Sequence, residues 1–284
     1  LSLRANLGTG FVPSVFGLEQ EIFEDKMPWL KKHLSKEEII NFELPEDITK
    51  AGLMPRAIEY IKFFQEKLDG KVHVFLSDTQ GPFDIAHLVR GNAIFTDVYD
   101  DPDFVHHLLQ LSTSAYIACS KAMKQANGEE PDSGYHNTLY MGRGGIRVCE
   151  DTTTLLSPGL IRDFVIPYLK QVLKTFGGGW VHFCGYNPHL LDLLLEVEPL
   201  RGINFGNPEK YDYEKVMEKL LKRGKFYHGG WPRKDKENLK EYFRRILKPV
   251  KKAGKGLIFA PALTDEEIKD PQALIGLWHS LQEV

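Results

Sequence analysis

His182, Phe183, Cys184 and Gly185 close an apolar run, Gly179-Trp180-Val181-His182-Phe183-Cys184, that glycines bound on both sides. Such a run reads as a buried β-strand. Side chains alternate across a strand, so His182 and Cys184 are expected to point the same way. An imidazole and a thiol side by side are two ligands for a borderline-soft metal, zinc above all. The alternative is a satisfied core histidine beside an inert cysteine. A carboxylate is available to complete a site. In the strand-like stretch from Gly145 to Asp151, Ile146, Val148 and Glu150 share one face, and Arg147, Cys149 and Asp151 share the other. The apolar pair predicts that Glu150 faces inward, on a strand about 4.8 Å from the one carrying His182 and Cys184. Glu150, His182 and Cys184 would then share one ion. Three protein ligands with an open fourth position is the catalytic pattern for zinc. Taken alone, Glu150 reads first as a solvated or salt-bridged carboxylate; beside His182 and Cys184 it reads equally as a ligand.

Strand-like and helix-like segments alternate along almost the whole chain, which predicts parallel strands with helices packed outside. Seven strands are expected, starting at Leu3, Val72, Gly145, Gly179, Gly202, Lys225 and Gly256. Helices are expected over Phe83–Gly91, Asp103–Ala126, Ser157–Phe176 with a break at Pro167, Leu190–Glu196, Tyr213–Arg223, Glu237–Ala253 and Pro271–Gln282. The fold class is α/β. A doubly wound open sheet would place a Gly-x-Gly-x-x-Gly turn after the first strand, and none is there. A (β/α)8 TIM barrel in a single domain, residues 1–284, is the better reading. Seven strands is one short of eight, and the first residue is Leu1 rather than Met, so a first βα unit is expected to be missing or truncated. The C-terminal ends of barrel strands carry the chemistry. That rim offers Asn6, Asp78, Gln80, Asn204 and His228 as candidate substrate-binding residues. No catalytic acid, base or nucleophile stands out. The segment Glu129–Gly134 reads as an exposed loop, and Cys119 as core packing.

Composition narrows the class. The 284 residues are 42% hydrophobic and 26% charged, with a net charge of −3. That balance argues against a nucleic-acid binder, and no apolar run is long enough for a membrane span. Three well-separated cysteines argue against a disulfide framework and for a reducing cytoplasm. A homodimer is left open.

Gly81-Pro82-Phe83-Asp84-Ile85-Ala86, then Asp100-Asp101-Pro102, Leu156-Ser157-Pro158 and Pro167-Tyr168, resemble the uroporphyrinogen decarboxylase superfamily from about Arg4 to the C-terminus. The resemblance implies a (β/α)8 barrel and one of two chemistries: cofactor-free decarboxylation of a porphyrinogen, or methyl transfer to or from a corrinoid. His182-Phe183-Cys184-Gly185 is similar to the His-x-Cys-Gly zinc motif of the corrinoid methyltransferases. Those enzymes carry a further cysteine after the last strand, where this chain reads Ala260-Pro261-Ala262-Leu263. Glu150 is the expected replacement. A ligand set of one Cys, one His and one Glu donates less charge than two thiolates, leaving zinc the stronger Lewis acid. The implied reaction is that of the first methyltransferase of O-demethylase systems. In that reading zinc would bind the oxygen of a small methylated substrate, and a separate corrinoid-binding protein would take the methyl group. Phe11, Phe16, Phe83, Tyr135, Tyr140, Tyr186 and Trp231 are candidates for an apolar substrate pocket, with ordinary packing the first reading for each taken singly. A decarboxylase-like lyase and a catalytically silent barrel are the competing readings.

Overall fold

The computed structural model describes residues 1–283 and divides into two compact units. The first comprises Leu1–Phe183 and Asn187–Leu200; the second comprises Cys184–Tyr186 and the residues from Arg201 onward.

Seven strands pair in parallel or continue such a series: β1 (Ser2–Arg4), β2 (His73–Phe75), β3 (Ile146–Cys149), β4 (Gly179–Phe183), β5 (Leu200–Phe205), β6 (Phe226–Gly229) and β7 (Leu257–Phe259). In the first unit β1 lies parallel to β2 with Leu3 opposite Val74. β3 lies parallel to β4 with Ile146 opposite Gly179 and Cys149 opposite His182. In the second unit β6 runs parallel to both β5 and β7. All seven fall where the sequence places them, within a few residues. Two small antiparallel hairpins, Gln20–Glu21 with Trp29–Leu30 and Gly134–His136 with Leu139–Met141, were not anticipated.

The main helices are α1 (Met54–Leu68), α2 (Pro82–Arg90), α3 (Pro102–Asn127), α4 (Pro158–Phe164), α5 (Ile166–Thr175), α6 (Leu190–Leu195), α7 (Tyr213–Lys222), α8 (Leu239–Leu247) and α9 (Pro271–Gln282). Their starts are written in the sequence. Asp101 caps α3 by accepting from the Phe104 N–H at 3.1 Å, with Pro102 in the first turn, where its missing N–H costs nothing. Asn238 and Glu241 form a reciprocal capping box on α8, which satisfies two donors that would otherwise be orphaned. The expected break near Pro167 is real: α4 ends at Phe164, and α5 restarts with Pro167 in its first turn.

The core of the first unit is apolar and fully buried, with Phe11, Ile61, Phe83, Leu108, Val148 and Val181 each 0% exposed. Cys119 belongs to it, as expected; burial pushes its thiol up to about 12. Phe11, Phe16 and Phe83 are therefore core residues rather than pocket walls. The Glu129–Gly134 segment is not a free loop. The ammonium of the buried Lys124 donates to Glu129 at 3.1 Å and to the Ser133 carbonyl at 2.6 Å, and so pins the segment. The second unit has its own core, in which Ile203, Leu220, Tyr227, Tyr242 and Ile246 are buried. Its aromatic side chains interlock, with Trp231 against Phe205, Tyr213 and Tyr227. Among the described residues no helix is long and apolar enough to cross a membrane.

Candidate metal centre

The β3–β4 register decides which side chains meet. Cys149 stands directly opposite His182, and Asp151 follows two residues later on the face of Cys149. Ligand atoms of Cys149, Asp151 and His182 lie within 4.8 Å of one another. The His182 Nε2 is 3.8 Å from Asp151 Oδ1, less than the roughly 4 Å spanned by two zinc–ligand bonds end to end. Cys149 is buried, while His182 and Asp151 are partly open to solvent. Cys149, Asp151 and His182 could together hold one ion, with the Cys149 thiol as the buried donor. Burial is the main force raising the Cys149 thiol well above its ordinary value, and the nearby Arg147 guanidinium pulls it down only in part. Such a thiol keeps its proton until a cation displaces it. The donor set fits a divalent, nitrogen- and sulfur-tolerant metal of the zinc type.

Glu150 faces the other way. Its carboxyl lies against Gly81 at the start of α2, where a Cβ added to Gly81 would meet the carboxyl carbon at 2.5 Å. Both carboxyl oxygens are buried without a hydrogen-bond partner; the Phe83 and Asp84 N–H groups face them without closing a bond of ordinary geometry. The expected inward direction of Glu150 is thus corrected, and the reason is general. In a parallel barrel both faces of the sheet are buried, so an apolar pair marks the face against the helix layer as readily as the interior. Ile146 shows this, since a Cβ at Gly179 would touch both its side chain and Leu173 of α5. The face carrying Arg147, Cys149 and Asp151 is the one that gathers polar groups.

Asp84 of α2 ties the two faces together. Its carboxylate accepts the Asp151 N–H and the Thr152 N–H, each at 2.8 Å. These bonds fix the turn that carries Asp151. Burial lifts the Asp84 carboxyl to about 7, against the pull of those same N–H groups. Burial, reinforced by the charge of Asp84, also raises Glu150 well above the carboxylate range.

The other candidates occupy different places. Asp78 accepts from Arg147 Nη1 at 3.1 Å and lies 3.9 Å from Arg4, so it belongs to a charge network on the polar face of β3. Gln80 is buried, with a left-handed backbone at φ 56°. Asn6 lies on the lining of a large cavity described below. Cys184 follows β4, which ends at Phe183. It belongs to the second unit, where its Sγ lies so close to Gly206 that any side chain there would collide with it. In the same unit Asn204 donates to the His228 carbonyl, and burial lowers the His228 imidazole. Tyr186 packs on Tyr211 there. Cys149 and Asp151 are the site residues that sequence reasoning passed over. The signal was present, because they alternate with the apolar Ile146 and Val148.

A family model described as Uroporphyrinogen decarboxylase (URO-D) matches residues 8–130. Uroporphyrinogen decarboxylases of Xanthomonas campestris pv. campestris and Xanthomonas axonopodis pv. citri are 23% identical over 176 residues, covering 59% of this chain and 44% of each relative. The match thus spans less than half the length of these relatives. Among solved structures, a methyltransferase from Methanosarcina mazei aligns with a TM-score of 0.69 over 99% of this chain and 80% of that one, at 17% identity. The resemblance to the uroporphyrinogen decarboxylase superfamily is borne out. The chain has the TIM-barrel fold of that type, as its strand and helix order predicts.

Proposed function

We propose that this chain is a metal-dependent methyltransferase that moves a methyl group from a small methylated substrate, an aryl methyl ether among the candidates, to a corrinoid carried by a partner protein. The observation that carries this reading is the Cys149–Asp151–His182 group, gathered at the C-terminal ends of β3 and β4, where barrels of this class place their chemistry. The fold it sits on is shared with a methyltransferase. Cys149, Asp151 and His182 would hold zinc, which when bound supplies Lewis acidity toward a substrate heteroatom.

The rest of the work falls to the protein. Asp84 holds the Asp151 turn through two backbone hydrogen bonds, and so fixes a carboxylate that would otherwise swing on a loop. Burial keeps Cys149 protonated in the metal-free chain, so loading releases a proton and weakens as pH falls. Arg147 and Asp78 set a paired charge on the same face, suited to orienting a polar group of the substrate. The three cysteines form no disulfide among the described residues, which is compatible with a reducing cytoplasm.

The test is an anaerobic assay with cob(I)alamin and methoxylated aromatic compounds, read by the visible spectrum of the methylated corrinoid. Methyl transfer that needs metal and is lost in His182→Ala supports the reading. The family match favours decarboxylation as the second reading; turnover of uroporphyrinogen by metal-free protein, with no methyl transfer, would establish it instead.

A further inference from the structure

A cavity of about 780 Å³ in the first unit lies beyond the C-terminal end of β1 and at the start of α1. In a parallel βα unit, those two points lie on the same side of the sheet, the side that carries chemistry in barrels. The volume falls within the range of small-molecule sites. Its walls are mostly apolar and include Leu7, Val15, Leu18, Ile22 and Leu53. Ile22 is 80% exposed, which leaves a large apolar side chain at the cavity uncovered by protein.

Two charged residues line this cavity, Glu19 and Arg56. Glu19 is neutralised by Lys31 at 2.7 Å. Among the described residues Arg56 has no carboxylate partner. Its Nε and Nη2 both donate to the Tyr60 hydroxyl, at 3.0 and 2.8 Å. Arg56 and Tyr60 are four residues apart on α1, hence on one helix face, while Met54, Ala57 and Ile61 bury the other. The pair is chemically incomplete. Arg56 Nη1 keeps its donors, and the Tyr60 oxygen, accepting twice, still has its own proton to give. The exposed Asn6 amide is a further polar group on the lining.

We infer that this cavity binds a small apolar molecule bearing one carboxylate, with the carboxylate held between the Arg56 guanidinium and the Tyr60 hydroxyl and the apolar body lying against Leu7, Val15, Leu18 and Ile22. A planar guanidinium with free N–H groups matches a carboxylate better than a neutral amide. The inference concerns binding alone. It does not rest on the methyl-transfer reading, and neither metal nor corrinoid enters its test.

The test is titration calorimetry with 4-tert-butylbenzoate and its uncharged counterpart 4-tert-butylbenzamide, on the full chain and on Arg56→Met and Tyr60→Phe. Circular dichroism monitors folding. The expected result is saturable one-to-one binding of the carboxylate, at least about tenfold tighter than the amide, as a charge-assisted pair implies. Arg56→Met weakens the carboxylate by a similar factor and leaves the amide unchanged. Tyr60→Phe weakens the carboxylate several-fold. Should Arg56→Met fail to fold, the wild-type comparison of acid with amide and the Tyr60→Phe result decide the matter. No binding of the carboxylate to the wild type, equal binding of acid and amide, or an unchanged affinity in Arg56→Met would overturn the inference.

Discussion

At the scale of single residues, strand phase decides between two ligand sets. Cys149 and Glu150 are chain neighbours on opposite faces of β3, and only Cys149 stands across from His182. His182 was legible from its type and its place at a strand end. Its partners were not, because both faces of a parallel strand are buried, and nothing in the alternation tells that the Ile146–Val148 face is the one against the helix layer. Asp84 carries a pH signature. Its carboxyl is raised from 3.8 to about 7 by burial. A folded value above the unfolded one means that folding favours the protonated form, so the contribution is complete below about pH 4 and is lost as pH rises toward 7. Glu150 shifts in the same direction. Metal-free wild type is therefore expected to lose stability across that window. Asp84→Asn, neutral throughout, shows a shallower loss. Urea midpoints measured at several pH values check this, and parallel curves for the two proteins would contradict it.

At the scale of elements, caps and close approaches position the site. α2 begins where Gly81 lets the helix start press against Glu150 and the Cys149 carbonyl. Gly81→Ala forces a Cβ into backbone and a buried carboxyl. The expected cost is about 1–3 kcal/mol, the usual range for overpacking, read as a lowered denaturation midpoint; no change would show that the contact relaxes freely. Asp101→Ala removes the α3 cap and should cost about 1 kcal/mol by the same measurement. Most strands and long helices were legible because β-branched and aromatic runs alternate with capped helical segments. α1 was not. Its apolar residues, among them Ile58, Phe63 and Phe64, run round more than the face that Met54, Ala57 and Ile61 bury, and Leu53 in its N-cap place gives no capping side chain to mark a start. The two hairpins escaped notice because two or three residues carry no usable period.

At the scale of the molecule, the barrel class followed from the order of elements, and the structural likeness over 99% of the chain bears it out. We propose that the chain is one folding domain. Calorimetry should then give one transition whose van't Hoff and calorimetric enthalpies agree; two resolved transitions would refute it.

The central claim is that Cys149, Asp151 and His182 hold a metal. Elemental analysis of purified protein tests it without knowledge of the substrate. Expected are about one zinc per chain in the wild type, retention in Glu150→Gln, and loss in Cys149→Ala and in His182→Ala, with Cys184→Ala reporting on the thiolate that the His-x-Cys-Gly motif implies. Zinc that survives Cys149→Ala but is lost in Glu150→Gln, or folded wild type that takes up no metal, would contradict the account.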